Sequence, residues 1–224
     1  MAVIPRGGPV LLVTGFGPFE NYPENPSGDV AAAADGRSVA GVRVVGRRVP
    51  VRWGEAWAAV RAAVAEHAPR ALLCLGVAPD PFIRLEVLAK NAARPAADVD
   101  GQHPPLFDLL RIVEGAPAAY WTTLPVGRLH GRLAQRHREM KAGNEAGAFV
   151  WAEPWPDAGW YLCNHLFYHV MHYLGGQVPC RGFVHVPRYP AAGAGPGVPR
   201  GEVLAAGVFL VEELARWLAE QEGP

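Results

Sequence analysis

The chain has 224 residues, half of them apolar, which is enough for a large buried core and favours a single domain over residues 1–224. Its 21 basic and 21 acidic residues leave no net charge, which excludes nucleic acid and an anionic membrane surface as expected partners. Three cysteines are too few for a disulfide framework, and no apolar run is long enough to span a membrane, so the sequence predicts a soluble cytoplasmic protein.

The first part of the chain alternates short apolar runs with helical patterns. β-Branched or apolar runs predict strands at Val10–Thr14, Val42–Val51 and Ala71–Gly76. Helices are predicted from an N-cap at Ser27 to Asp35, and over Trp53–His67, where apolar residues recur at three- and four-residue spacing. Strand, helix and strand at these lengths predict an α/β fold with a mostly parallel, twisted sheet and helices on both faces.

The segment Phe82–Lys90 changes to near alternation, which is typical of a strand with two different faces. One face carries Ile83, Leu85, Val87 and Ala89, and the other carries Arg84, Glu86 and Lys90, with Leu88 as an exception. The pattern predicts that Glu86 lies on a mainly polar side or in a cleft.

The remaining elements place two chemically active residues near the ends of elements. The predicted elements are a strand at Tyr120–Thr123, a helix at Pro125–His137, a strand near Phe149, a helix at Gly159–Leu174 capped by Asp157, a strand at Gly182–Val186, a surface loop at Pro187–Gly201 and a helix at Glu202–Glu220. Cys163 then lies near the first turn of a helix. His185 lies near the end of a strand, where open α/β sheets bind their ligands.

These positions suit nucleophilic catalysis by a thiol. A helix N-terminus stabilises a thiolate at Cys163, His185 could accept and return its proton, and Glu86 could orient the imidazole. The oxyanion would use the backbone N–H of Cys163 and a loop donor. Cys74, in an apolar run, is interpreted as a core residue, and Cys180 is the second choice as nucleophile.

Each residue also has a structural interpretation that spacing alone leaves open. A free cysteine is more often packed than reactive, a strand glutamate such as Glu86 usually meets solvent or a cation, and a histidine between valines is often a core residue. Phe16 and Phe19 could simply pack a turn.

Five stretches, in this order along nearly the whole chain, resemble type I pyroglutamyl peptidases, also called pyrrolidone-carboxylate peptidases. They are Val13–Phe19 with Asn25–Ser27, Ile83–Asn91, Gly115–Tyr120 with Thr123–Pro125, Tyr161–Asn164 and Phe183–Pro187. The resemblance implies a single-domain three-layer α/β/α sandwich and a cysteine peptidase that hydrolyses the bond after an N-terminal pyroglutamate through a thioacyl-enzyme. Glu86, Cys163 and His185 would form its triad, with no metal or organic cofactor.

The resemblance also implies how substrate binds. Phe16 and Phe19 would clasp the lactam ring, with Tyr161 as a further wall and Asn25 as a polar contributor, and an apolar slot suits such a small uncharged ring. The chain departs from the family pattern in Gly76–Pro81 and in Glu153–Gly159. Arg94 is spaced differently from the arginine expected after the strand.

Three rival interpretations remain open at this stage. His165, His169 and His172 share a helix face and could bind a metal. The turn Thr14–Pro18 could bind phosphate, although it lacks the full glycine fingerprint. The chain could also be a non-catalytic protein of this fold that binds blocked peptide N-termini. The expected partners are pyroglutamylated peptides, and assembly into a dimer or tetramer is left open.

Overall fold

A mixed sheet of eight strands forms the centre of the structure, a computed structural model that describes residues 8–19, 24–143, 150–190 and 196–223. The strands are β1 (Val10–Phe16), β2 (Ser38–Val39), β3 (Val42–Val49), β4 (Ala71–Ala78), β5 (Ile83–Lys90), β6 (Ala119–Trp121), β7 (Ala152–Asp157) and β8 (Cys180–Pro187). The helices are α1 (Pro26–Ala34), α2 (Glu55–His67), α3 (Val126–Ala142), α4 (Leu162–Tyr173) and α5 (Arg200–Glu222), with a short 3₁₀ turn at Asp108–Leu110.

The strand order is β2-β3-β1-β4-β8-β5-β6, and β7 pairs with β5. Strands β3, β1, β4 and β8 are parallel neighbours, as the alternating strands and helices predicted. β5 runs antiparallel to β8, while β2 runs antiparallel to β3 at the edge. The sheet is therefore mostly parallel in its central part and mixed at both sides.

Helices cover both faces of the sheet and create two separate cores, so the predicted three-layer arrangement is confirmed. One core lies under α1, α3 and α5 and includes Leu73 and Val184. The other lies under α2 and α4 and includes Leu72 and Phe183. Because side chains alternate along a strand, Gly76 of β4 and His185 of β8 belong to the face that α4 covers.

Local caps correct several predicted boundaries. Asn25, not Ser27, caps α1, because the Asn25 side chain accepts a hydrogen bond from the Ser27 backbone N–H. α4 begins at Leu162 and not at Gly159, since Gly159 has a positive φ of 83° and Tyr161 is extended. Asp157 is the last residue of β7 and not a cap of α4. Pro125 precedes the first turn of α3.

Two further predictions need correction or lie outside the described residues. Phe149 is outside them, and the strand predicted near it is observed as β7. Ile83 and Leu85 of β5 lie in the first core whereas Ala89 lies in the second, so these residues do not share one face. The first part of β5 pairs with β8, and its last residues pair with β6 instead. No helix in the described ranges is long and apolar enough to cross a membrane.

Candidate active site

Cys163, His185 and Glu86 come together above β4. The His185 Nδ1 lies 2.7 Å from Oε1 of Glu86. A Cβ atom placed on Gly76 would lie 2.9 Å from Cδ2 of His185 and 3.0 Å from Sγ of Cys163. The Cys163 sulfur and the His185 ring are therefore both within 3.0 Å of the position that a Cβ on Gly76 would occupy. The Glu86 carboxylate lies on the other side of the ring, at Nδ1.

Strand register explains how Glu86 reaches His185 although 99 residues separate them. In the antiparallel pair of β5 and β8, Arg84 is opposite His185 and Glu86 is opposite Phe183. Opposite residues project from the same face, so Glu86 and His185 are diagonal neighbours on the face beneath α4. Glu86 is fully buried, so of the two predicted surroundings, a mainly polar side or a cleft, the mainly polar side is wrong.

Gly76 makes the close approach of these side chains possible. An added Cβ there would also lie 2.9 Å from Cζ of Phe183, closer than side-chain carbons pack. Nothing in the sequence indicates this role, because a glycine at the end of a predicted strand usually marks only the turn that follows.

Cys163 occupies the first turn of α4 and is partly exposed. No side chain caps this helix at Tyr161, so the backbone N–H groups of the first turn are available to an anion near the sulfur. Cys74 and Cys180 are buried instead, and their burial raises the pKa of each thiol to about 12. Cys163 is therefore the thiol suited to reaction.

Asn164 fixes the first turn of α4 to the end of β5. Its Nδ2 donates to the carbonyl oxygens of Lys90 at 2.9 Å and Ala92 at 2.8 Å. Its Oδ1 accepts from the Lys90 N–H at 3.0 Å, and the side chain is fully buried. This clamp ties the element that carries Cys163 to the strand that carries Glu86.

The electrostatics favour a charged imidazole. Burial opposes a proton on His185, but the charge and hydrogen bond of Cys163, followed by those of Glu86, outweigh it and raise the pKa of His185 to about 9. The second carboxylate oxygen of Glu86 is buried and has no hydrogen-bond partner among the described residues. His185 is thus the group that compensates the buried carboxylate.

A cavity of about 340 Å³ opens beside Cys163, within the range of small-molecule sites. It contains all four residues predicted to bind substrate, namely Phe16, Phe19, Asn25 and Tyr161. Its other lining residues are Val51, Val77, Arg94, Ala97, Leu162 and Cys163. Sequence reasoning missed the small apolar members of this set, because they carry no chemical signature.

The polar atoms of Asn25 bond to the loop that follows β1. Its Nδ2 donates to the Gly17 carbonyl at 2.8 Å, and its Oδ1 accepts from the Ser27 hydroxyl at 2.7 Å. The Ser27 hydroxyl in turn accepts from the Phe16 N–H at 3.0 Å. Asn25 therefore shapes the loop that carries Phe16 and Phe19, while its direct contact with a substrate stays a prediction.

Tyr161 is held in place as a wall of the cavity. Its hydroxyl donates to the Ala97 carbonyl at 2.8 Å, and its ring meets Trp53 edge-on at 5.1 Å between centroids. The Arg94 guanidinium lies 5.0 Å from the ring centroid. Despite its unexpected spacing, Arg94 thus reaches the cavity, where it brings a positive charge.

Known proteins resemble this chain in sequence and in fold. The family model described as pyroglutamyl peptidase matches residues 10–200. The chain belongs to the pyroglutamyl peptidase family. A pyrrolidone-carboxylate peptidase of Gloeobacter violaceus is 36% identical over 183 residues, 80% of this chain and 82% of that protein. A protein of the same name from Klebsiella pneumoniae is 37% identical over 84% of this chain and 83% of its own length.

Solved structures bear out the fold as well. The crystal structure of pyroglutamyl peptidase I from Bacillus amyloliquefaciens superposes with a TM-score of 0.78 at 28% identity, over 93% of this chain and 97% of that one. The chain is thus a cysteine peptidase for N-terminal pyroglutamate with a single-domain α/β fold, as the resemblance of its motifs implied. The alternative of a non-catalytic binding protein is not favoured.

The structure gives other roles to the residues behind the two remaining rival interpretations, the metal site and the phosphate-binding turn. The Nδ1 of His169 lies 2.8 Å from the His165 carbonyl, and that of His172 lies 2.7 Å from the Tyr120 hydroxyl. The described residues contain no group of three or more potential ligands placed to hold a metal. In the turn Thr14–Pro18, which was considered for phosphate binding, a side chain on Gly15 would collide with the Ser27 backbone. This glycine therefore lets α1 approach β1.

Proposed function

We propose that Cys163, His185 and Glu86 are the catalytic triad with which the peptidase removes an N-terminal pyroglutamate. The observation that supports this most directly is the convergence of sulfur and imidazole on Gly76, with His185 bonded to Glu86 at 2.7 Å. Nucleophile, base and orienting carboxylate then stand in the order that acyl transfer requires.

In the first step the Cys163 sulfur attacks the carbonyl carbon of the pyroglutamyl residue. Because Nδ1 of His185 bonds to Glu86, Nε2 is the nitrogen that exchanges a proton with the thiol. The protonated ring then gives this proton to the nitrogen of the scissile bond. That bond breaks, the shortened peptide leaves with a free amine, and a thioester remains on Cys163.

In the second step water replaces the sulfur. His185 accepts a proton from the water as its oxygen attacks the thioester carbonyl, and the carbon–sulfur bond then breaks. The products are free pyroglutamate and the regenerated enzyme. In both steps the negative oxygen is stabilised by the backbone N–H of Cys163 at the uncapped start of α4.

Specificity for pyroglutamate follows from the lining of the cavity. Phe16, Phe19 and Tyr161 offer aromatic surface to a flat, uncharged lactam. An ordinary N-terminus carries an ammonium group, which this surface would desolvate and the Arg94 guanidinium would repel. The slot therefore favours the one N-terminal residue whose amine is locked in a neutral ring.

Release of coumarin dye from a pyroglutamyl-coumarin conjugate tests this proposal. We expect hydrolysis by the wild type that chelators leave unchanged, loss of hydrolysis in Cys163→Ala, and retention in Cys180→Ala as the matched control. Iodoacetamide should label Cys163 in preference to Cys74, with protection by pyroglutamate analogues. Full activity in Cys163→Ala, or preferential labelling of Cys74, would contradict the triad.

The wider setting of the enzyme is part of the same proposal. All three cysteines are unpaired thiols, which favours a reducing compartment such as the cytoplasm. Large apolar side chains, Leu109 and Trp121 among them, are exposed and would suit a contact between copies in a dimer or tetramer. We take residues 1–224 as one catalytic domain.

A further inference from the structure

A second cavity adjoins the catalytic cavity at the carboxyl ends of β4 and β8. Its volume is about 160 Å³, and it shares Phe19, Asn25 and Val77 with the catalytic cavity. The rest of its lining is formed by Glu24, Pro26, Ala78, Pro79 and Arg188. A group bound next to the lactam slot could therefore continue into this space without leaving the protein surface.

The chemistry of the reaction tells which part of the substrate this second cavity would receive. His185 protonates the amine of the leaving peptide, so the leaving peptide extends on the His185 side of the scissile bond. After His185, strand β8 continues to Pro187, and Arg188 is the next residue. At about 3.3 Å per residue, Arg188 begins about 10 Å beyond His185, a distance that its side chain and the first leaving residue can bridge.

Arg188 brings an unpaired positive charge to this cavity. Within the described ranges its guanidinium forms no ion pair, and its buried Nε has no hydrogen-bond partner. The Arg188 N–H donates to the Ala78 carbonyl at 3.2 Å, which fixes the backbone at the cavity. Glu24, the acidic residue of the lining, is already paired with Arg200. Among the residues that the structure describes, the lining of this cavity offers no partner for the Arg188 cation.

We propose that Arg188 is a specificity residue of the leaving-group side and binds a carboxylate on the residue that follows pyroglutamate. A planar guanidinium pairs well with a carboxylate, through two parallel hydrogen bonds. The carboxylate can belong to an acidic side chain or, in a pyroglutamyl dipeptide, to the chain terminus. This inference rests on the proposed function, because it presumes that His185 faces the leaving amine.

Two isosteric substrate pairs test the proposal and separate the two sources of the carboxylate. The first pair is pyroglutamyl-glutamate amide and pyroglutamyl-glutamine amide, and the second is pyroglutamyl-alanine and its amide. The readout is the ratio of kcat/KM within each pair, measured from released pyroglutamate at low salt. We expect a carboxylate preference of about fivefold or more in at least one pair, and a smaller one at high salt.

Variants assign this preference to Arg188. In Arg188→Gln the ratio should fall close to one, and Arg188→Lys should keep part of it because the charge remains. Arg61→Gln, on the exposed face of α2, makes the same change in net charge and should keep the wild-type ratio. Thermal unfolding of each variant checks that it is folded.

The outcomes separate failure of this inference from failure of the proposed function. If the wild type cleaves the amides but shows no preference in either pair, or if Arg188→Gln keeps the preference, the role of Arg188 is refuted while the peptidase proposal stands. If the wild type cleaves none of the four substrates, both proposals are refuted.

Discussion

The backbone of Gly76 lies next to the side chains of Cys163 and His185, the two residues proposed to react. Replacing it by alanine would place a methyl group 2.9 Å from the His185 ring and 3.0 Å from the Cys163 sulfur. We expect Gly76→Ala to lower kcat about 100-fold, because a shift of about 1 Å in reacting groups has this cost. The measurement is hydrolysis of a pyroglutamyl substrate by protein whose fold is verified by circular dichroism.

A matched glycine provides the control. A Cβ on Gly131, inside α3, would meet nothing within 4 Å. Gly131→Ala should therefore leave kcat unchanged and raise the free energy of unfolding by about 0.5–1 kcal/mol. Wild-type kcat in Gly76→Ala would show that the site has more room than the structure indicates.

The pH range in which His185 can donate a proton depends on Cys163 and, after it, on Glu86, because both raise the pKa of the imidazole. With a pKa of about 9, the ring stays protonated below that pH and can protonate the leaving amine, so kcat/KM should decline above about pH 9. Glu86→Gln removes a negative charge that raises this pKa. The alkaline limb should then move to lower pH, with kcat reduced by about 10² to 10⁴.

The control for this pH profile is Glu153→Gln on the neighbouring strand β7. The side chain of Glu153 is half-exposed, and its carboxylate lies 3.7 Å from the His130 ring, which is not part of the proposed triad. The alkaline limb should stay in place in this variant. A limb that does not move in Glu86→Gln would mean that another group controls the alkaline decline.

At the scale of elements, the site depends on the attachment of α4 to β5. Asn164→Ala would remove the side chain that pairs with part-buried backbone groups of Lys90 and Ala92. We expect a loss of about 2–4 kcal/mol in the free energy of unfolding, measured in urea, and slower alkylation of Cys163 in the native state. Gln135→Ala, which removes two exposed hydrogen bonds on α3, should cost less than about 0.5 kcal/mol. An equal loss in the free energy of unfolding in the two variants would contradict the stabilising role of Asn164.

Elements were predictable where the chain carries its own signal. The sequence predicts β1, β4 and β8 from their apolar runs and α2 from its helical spacing, because these patterns involve only residues close together in the chain. The start of α4 was placed too early, since the positive φ of Gly159 and the extended Tyr161 depend on the loop. The two-residue strand β2 was missed because its pairing with β3 comes from position and not from pattern.

At the scale of the whole molecule, stability should depend on a histidine outside the triad. Burial, with a contribution from His169, lowers the pKa of His165 to about 3. Its ring packs edge-on against Trp53 at 5.1 Å between centroids. Between pH 6.5 and about 3, the His165 imidazole is protonated in the unfolded chain but neutral in the native protein. The free energy of unfolding therefore decreases as the pH falls, by up to about 1.4 kcal/mol per pH unit.

The variant His165→Phe tests this pH dependence while keeping an aromatic ring against Trp53. Below pH 6.5 the free energy of unfolding, measured by urea titration at several pH values, should fall less steeply with decreasing pH than in the wild type. His103→Phe, at an exposed position, serves as the control and should keep the wild-type slope. An unchanged slope in His165→Phe would show that His165 is charged in the native state.

The sequence by itself determined the α/β class, the family, and the three residue types proposed for catalysis, because these follow from local periodicity and from short motifs in a fixed order. Only the tertiary structure decided that Glu86 is buried behind His185, that Gly76 leaves room for the side chains of Cys163 and His185, and that Arg188 lines a cavity next to the one at Cys163. The physical reason is that strand register and crossovers between distant segments set these contacts, and a single sequence does not encode them as a local pattern.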